Sequence, residues 1–209
     1  LAGYLYWDNS VKNEAALRSE KAMIALDKLQ AGQLDAAAAD FEALTKEGPD
    51  ASRTLAAMNL AAIASEQGKI DDAAKRFAAV AADPKAPKLY RELAAVREVT
   101  LRYDTMKPDE VIAKLKPIAV PGNAYFGSAG ELLGMAYLDS GKPDLAGALF
   151  AQIGQDKNVP QPIRARIRQV ASGLGYDGGV ELPSEAPADP GSASEDQAAQ
   201  PAPDKTKPA

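Results

Sequence analysis

Neither cysteine nor histidine occurs in this chain, and tryptophan occurs once. Without a thiolate or an imidazole there is no cysteine nucleophile, no Ser-His-Asp relay, no ordinary zinc centre and no side chain that titrates near neutrality. The same absence excludes a disulfide framework, which suits a reducing cytosol and equally an exported bacterial protein that avoids thiols. Aromatic residues are also scarce, at 6% of the chain, within a hydrophobic set of 46% that alanine dominates. Sheets favour branched and aromatic side chains, whereas small ones suit closely packed helices, so the composition predicts an all-α fold. At 209 residues the chain is long enough for one continuous core and one folded domain.

A dense basic stripe is missing as well. Residues 1–176 carry 22 acidic and 22 basic side chains and residues 177–209 carry 7 and 2, so the net charge of −5 resides in the tail. A neutral body lacks the footprint that a phosphate backbone requires, and nucleic acid is excluded as an expected partner. The tail is rich in Pro, Ala, Ser, Gly and carboxylates, without apolar periodicity. Such a composition cannot repay the entropy of ordering, so residues 177–209 are expected to be disordered. At the other end, Leu1-Ala2-Gly3-Tyr4-Leu5-Tyr6-Trp7 precedes polar Asp8-Asn9-Ser10, with no initiator Met. Aromatics at that junction look like an interfacial belt, so residues 1–8 are expected to end a membrane anchor whose apolar part lies upstream of Leu1. The alternatives are aromatics stapled onto a first helical hairpin, or the remnant of a processed signal region.

An internal repeat organises what lies between. Gly32-Gln33-Leu34-Asp35, Gly68-Lys69-Ile70-Asp71 and Gly141-Lys142-Pro143-Asp144 recur in register, and Met106-Lys107-Pro108-Asp109 fills the place between the last two. Successive units are 36, 38 and 35 residues apart. Five residues after each start stand Ala37, Ala73, Val111 and Ala146, and four further on stand Phe41, Phe77, Leu115 and Phe150. Glycine closes a turn between antiparallel helices, the small residue lets their backbones approach, and the large one fills the groove behind it. In the last unit Leu133, Gly134, Tyr137, Gly141, Ala146 and Phe150 reproduce the pattern most fully, while units one and two keep Ala25 and Ala61 at the small position of the first helix. The third unit is degenerate, with Val99 at that position and Met106 for the turn glycine.

These motifs resemble the tetratricopeptide repeat, and the resemblance implies a right-handed α-solenoid of about four helical hairpins over residues 9–176. Helices are expected at 9–30, 34–46, 51–67, 70–82, 87–104, 108–118, 123–140, 143–154 and 161–174, with Gly48-Pro49, Asp83-Pro84, Pro117 and Pro160 marking stops. The ninth is unpaired. Its stripe of Ile163, Ile167, Val170 and Leu174 suits a capping helix, while Arg164, Arg166 and Arg168 fall off that stripe and offer an anionic-lipid or partner patch as the sharper reading.

In that family ligands lie in the groove lined by the first helix of each hairpin, and the matching positions here are a partner-binding groove of Leu55, Met58, Leu93, Val96, Tyr103, Met135 and Leu138, with Ala62, Ser65, Thr100 and Glu131 beside them. Several of these serve equally well as core residues. A known carboxylate clamp of the family looks absent: Asn59 and Arg97 fit, but its lysines and second asparagine are replaced by Leu55, Met58, Ala62 and Val96. Recognition is then expected to rest on apolar contact. The pairs Asp71-Asp72 and Asp109-Glu110 sit in first turns, where they complement the helix N-terminus, and adjacent helical residues diverge by about 100°. No catalytic, metal or cofactor site is expected.

An aromatic-edged start, a long first helix and four hairpins together resemble the bacterial YfgM-like family. That resemblance implies a single-pass inner-membrane protein with its repeats in the periplasm, assisting newly exported polypeptides at the SecYEG translocon beside a PpiD-like chaperone. A scaffold in cell division or envelope assembly and a soluble cytosolic adaptor remain open alternatives. Because the tail offers the core no apolar face, removal of residues 177–209 is expected to shift the melting temperature by less than ~4 °C; a larger fall in a thermal melt refutes that expectation.

Overall fold

The computed structural model describes residues 2–176, with side chains from residue 12 onward. All the regular structure there is helical: α1 (Ala2–Gln30), α2 (Leu34–Leu44), α3 (Asp50–Glu66), α4 (Ile70–Ala82), α5 (Lys88–Arg102), α6 (Pro108–Leu115), α7 (Phe126–Asp139), α8 (Pro143–Gln155) and α9 (Gln161–Gly173). Helices adjacent in sequence pack on one another in turn, as the repeat predicts. The acidic tail lies outside the described residues.

Three hairpin turns share one geometry because glycine sits at their apex. Gly32, Gly68 and Gly141 have φ of 73°, 74° and 68°, a left-handed conformation that costs glycine little. The amide after each then reaches back to cap its helix: Gln33 to the Lys28 carbonyl at 2.9 Å, Lys69 to Ala64 at 2.9 Å and Lys142 to Tyr137 at 2.8 Å. In the third unit Met106 takes an extended conformation, φ −85° and ψ 147°, after a 3-10 turn over Tyr103–Thr105. A side chain at that place changes the turn itself.

Close approach within the hairpins is bought with small side chains. Ala25 and Ala37, Ala61 and Ala73, and Gly134 and Ala146 are all buried at the repeat's small positions, with Phe41, Phe77 and Phe150 buried behind them. At Gly134 the fit is tight enough that a Cβ would stand 2.1 Å from the Phe150 ring. In the third hairpin the small pair becomes Val99 and Val111, both buried, and α5 packs far more extensively on α4 than on α6. Glu98 stands where Leu60 and Leu133 stand in units two and four, and it is only 2% exposed. Its carboxylate accepts a hydrogen bond from the Lys114 ammonium at 2.8 Å.

The solenoid ends are treated differently. At the C-terminal end α9 closes over α7 and α8 through Ile167 and Ala171, with Ile163 and Val170 beside them. Two of its three arginines serve that closure: both Glu131 oxygens accept from Arg166 at 2.5 Å, and Arg168 Nε donates to the Gly154 carbonyl at 2.9 Å. At the other end Ile24, at the place of Leu60 and Leu133, is 46% exposed, because no helix precedes α1 among the described residues.

Several expectations are corrected here. The first helix does not begin at residue 9 but runs unbroken from Ala2, through the aromatic segment. No helix among the described residues is long and apolar enough to cross a membrane, which overturns the expected single-pass inner-membrane placement. Asp8, Lys12, Glu14, Arg18, Glu20 and Lys21 recur too often along α1 for a hydrocarbon core. Helix α6 stops at Leu115 rather than 118, since Pro117 has no amide to continue the ladder. Helix α7 starts at Phe126 rather than 123, because the Asn123 side chain accepts from the Tyr125 amide at 2.8 Å and forms a turn.

The Gly134–Phe150 contact yields a paired test. Phe150→Ala is expected to cost about 3–5 kcal/mol, and Gly134→Ala about 1–3 kcal/mol through overpacking. In the double variant the new methyl enters space the ring has left, so its cost falls below the sum of the singles. Simple additivity in urea unfolding would refute the contact.

Candidate protein-binding groove

The first helices of the four hairpins, α1, α3, α5 and α7, line one face of the solenoid. Two hollows open between them. One of about 350 Å³ lies between α1 and α3, with Met23, Leu26 and Leu55 at its apolar edge and Asn59 and Arg18 as polar neighbours. The space exists because α1 contributes small residues, Ala15, Ser19 and Ala22, opposite Ala56 of α3. The second hollow, about 390 Å³, lies between α3 and α5 and brings together Met58, Ala62, Ser65, Leu93, Arg97 and Thr100.

The expected groove residues therefore divide. Leu55 and Met135 are exposed, at 44% and 40%. Leu93, Tyr103 and Leu138 are half-buried. Met58 and Val96 are buried, at 8% and 6%, because they point along the flank where one first helix packs on the next. Met58 still touches the second hollow, whereas Val96 belongs to the core formed with Val99 and Val111. Glu131 is engaged by Arg166. Met135 and Leu138 on α7 line neither hollow.

Met23 and Leu26 were outside the expected set, although Met23 is 65% exposed and both line the first hollow. The signal was available: Leu26 follows Ala25 as Ala62 follows Ala61, and Met23 precedes Ala25 by the offset that places Asn59 and Arg97. Carrying the register back by one unit finds both.

Two polar groups of this face are held by their own helices, and a third reaches across to α7. Asn59 Nδ2 donates to the Leu55 carbonyl at 2.9 Å, and Thr100 Oγ1 donates to the Val96 carbonyl at 2.8 Å. Tyr103 donates to Asp139 at 2.7 Å. Burial first, and then the bond and charge of Asp139, hold the Tyr103 phenol well above its ordinary pKa. Tyr125 is also pushed up, by burial ahead of the charge of Glu92, with Arg97 opposing. Both phenols stay protonated, and neither provides a general base. The acidic pairs Asp71-Asp72 and Asp109-Glu110 stand in the first turns of α4 and α6. What this face offers a ligand is apolar surface at its N-terminal end, with Arg18 beside it, and Arg97 near its middle.

No curated protein and no solved structure is significantly similar to the chain. Residues 1–167 match the family described as a tetratricopeptide repeat-like domain, a span that takes in all four hairpins and the start of α9. The glycine turns, the small-large pairs and the serial packing of α1 to α9 follow the pattern of that family, whose domains act as protein–protein interaction modules. The chain belongs to the tetratricopeptide repeat-like domain family.

Proposed function

We propose that this protein is a non-catalytic binding module that takes apolar segments of other polypeptides on the face lined by its first helices. The observation that supports this most directly is the hollow between α1 and α3, edged by Met23, Leu26 and Leu55, which expose large apolar side chains side by side. Water there has few hydrogen-bonding partners, so its displacement by an apolar segment drives association. Methionine adds side chains that repack against varied partners. The groove proposed thus comprises Leu55, Leu93, Met135 and Leu138 with Tyr103, extended by Met23 and Leu26. Met58 and Val96 support it from beneath.

A finer form of this reading takes newly exported polypeptides and a PpiD-like chaperone beside the SecYEG translocon as the partners. Its support is the likeness of architecture to the YfgM-like family, a long first helix running into four hairpins. It requires no membrane span within this chain.

Fluorescence anisotropy with labelled apolar peptides, and acidic and basic peptides as controls, tests the binding face. Met23→Glu and Leu55→Glu are expected to keep the parent melting temperature and weaken apolar-peptide binding about tenfold or more, by placing an unpaired charge in the interface. Met58→Glu is expected to lower the melting temperature, because its carboxylate would replace a buried side chain. Undiminished binding by both exposed variants would move the site elsewhere.

A further inference from the structure

Helices α5 and α6 are partners by sequence but not by packing. In the other three hairpins a glycine turn and a small-small pair bring the two helices together. Between α5 and α6 neither device is present: Met106 is extended where the glycine should turn, and Val99 faces the hairpin with Val111. Each helix instead packs chiefly on its outer neighbour, α5 on α4 and α6 on α7. The solenoid consequently contains a seam, with α1–α5 on one side and α6–α9 on the other.

What crosses the seam is of two kinds. The first is a continuous apolar cluster in which Val96 and Val99 of α5 meet Val111 and Leu115 of α6 and Leu133 of α7, with Met106 and Ile118 in the same cluster and α5 also touching α7 directly. Apolar contact is non-directional and tolerates small sliding. The second is a pair of directional ties, Lys114 to Glu98 at 2.8 Å and Tyr103 to Asp139 at 2.7 Å. Hairpin four shows what a fixed joint would carry at the equivalent places, Leu133 and Leu149 in place of Glu98 and Lys114. Lys114 itself is partly exposed, so one end of the ion pair is open to water.

We infer that this seam is a hinge, on which α6–α9 swings as a body against α1–α5, and that the Glu98–Lys114 pair is its latch. Hinges of this kind absorb motion at element ends, here the Tyr103–Thr105 turn and Met106. Its movement changes the gap between Leu93, Arg97 and Thr100 on α5 and Met135 and Leu138 on α7, and so sets how wide a segment the groove accepts. The hinge goes beyond the binding reading and stands on the packing whether or not that face binds a peptide.

The absence of cysteine makes the test direct, since each introduced thiol takes a single spin label. Labels at Lys75→Cys on α4 and Gln152→Cys on α8 straddle the seam, and labels at Glu20→Cys and Lys75→Cys lie on one side of it. Electron–electron double resonance on the full chain is expected to give a broader distance distribution across the seam than within the block. Adding Glu98→Leu with Lys114→Leu, the pair hairpin four uses, is expected to narrow the first distribution and leave the second unchanged. Lys114→Ala alone, which leaves Glu98 unpaired, is expected to broaden it. A cross-seam distribution as narrow as the control in the parent chain, or one that neither change alters, would overturn the hinge. Should the double leucine variant misfold, amide exchange in the parent decides: α6 amides exchanging no faster than those of α4 and α8 count against it equally.

Discussion

The whole architecture depends on how near two antiparallel helices can come at the point where they cross. With alanine or glycine on both sides the backbones close up, and the aromatic ring four residues on fills the groove that closure creates. Gly134, with the Phe150 ring 2.1 Å from where its Cβ would be, is the limiting case. Each hairpin so formed presents apolar surface on its outer flanks, which only the next hairpin can cover. The clusters around Phe41, Phe77 and Phe150 are successive solutions to one problem.

Serial covering also explains why a groove exists. Side chains on the flanks of α3 and α5 are consumed by packing, which is why Met58 and Val96 are buried. Those one turn away, such as Leu55 and Arg97, face outward and cost the core nothing if they vary. Function can be written on that face without rewriting the fold, and the apolar character of its N-terminal end is then a property of composition there, not a demand of stability. The third hairpin is the exception, where Glu98 puts a charge into the packing layer itself.

Much of this was legible in the sequence because the repeat supplies its own internal standard. Gly32, Gly68 and Gly141 fixed the turns, and Ala37, Ala73 and Ala146 with their phenylalanines fixed which helices pair. Burial within the groove was not legible to the same degree. Leu55 and Met58 lie three residues apart on one helix, and only the position of α5 decides that the second is covered. The role of Glu98 was hidden for a similar reason, since its partner Lys114 is 16 residues away and reads as a solvated charge until α6 is in place. The aromatic start reads as a bilayer edge, but it lies within α1, and the charges that follow along the same helix keep α1 itself from crossing a membrane.

A chain of joints in series behaves mechanically like springs in series, where every joint bears the same load and the softest one yields most. Three hairpins of this solenoid close on a glycine turn and a pair of small residues, and in the last of them the Phe150 ring stands against Gly134. The joint at α5 and α6 is spaced by two valines and tied by the Glu98–Lys114 ion pair and the Tyr103–Asp139 hydrogen bond. On the hinge inferred above, a pull transmitted between α1 and α9 is taken up most at that place, and its compliance is the largest single share of the whole.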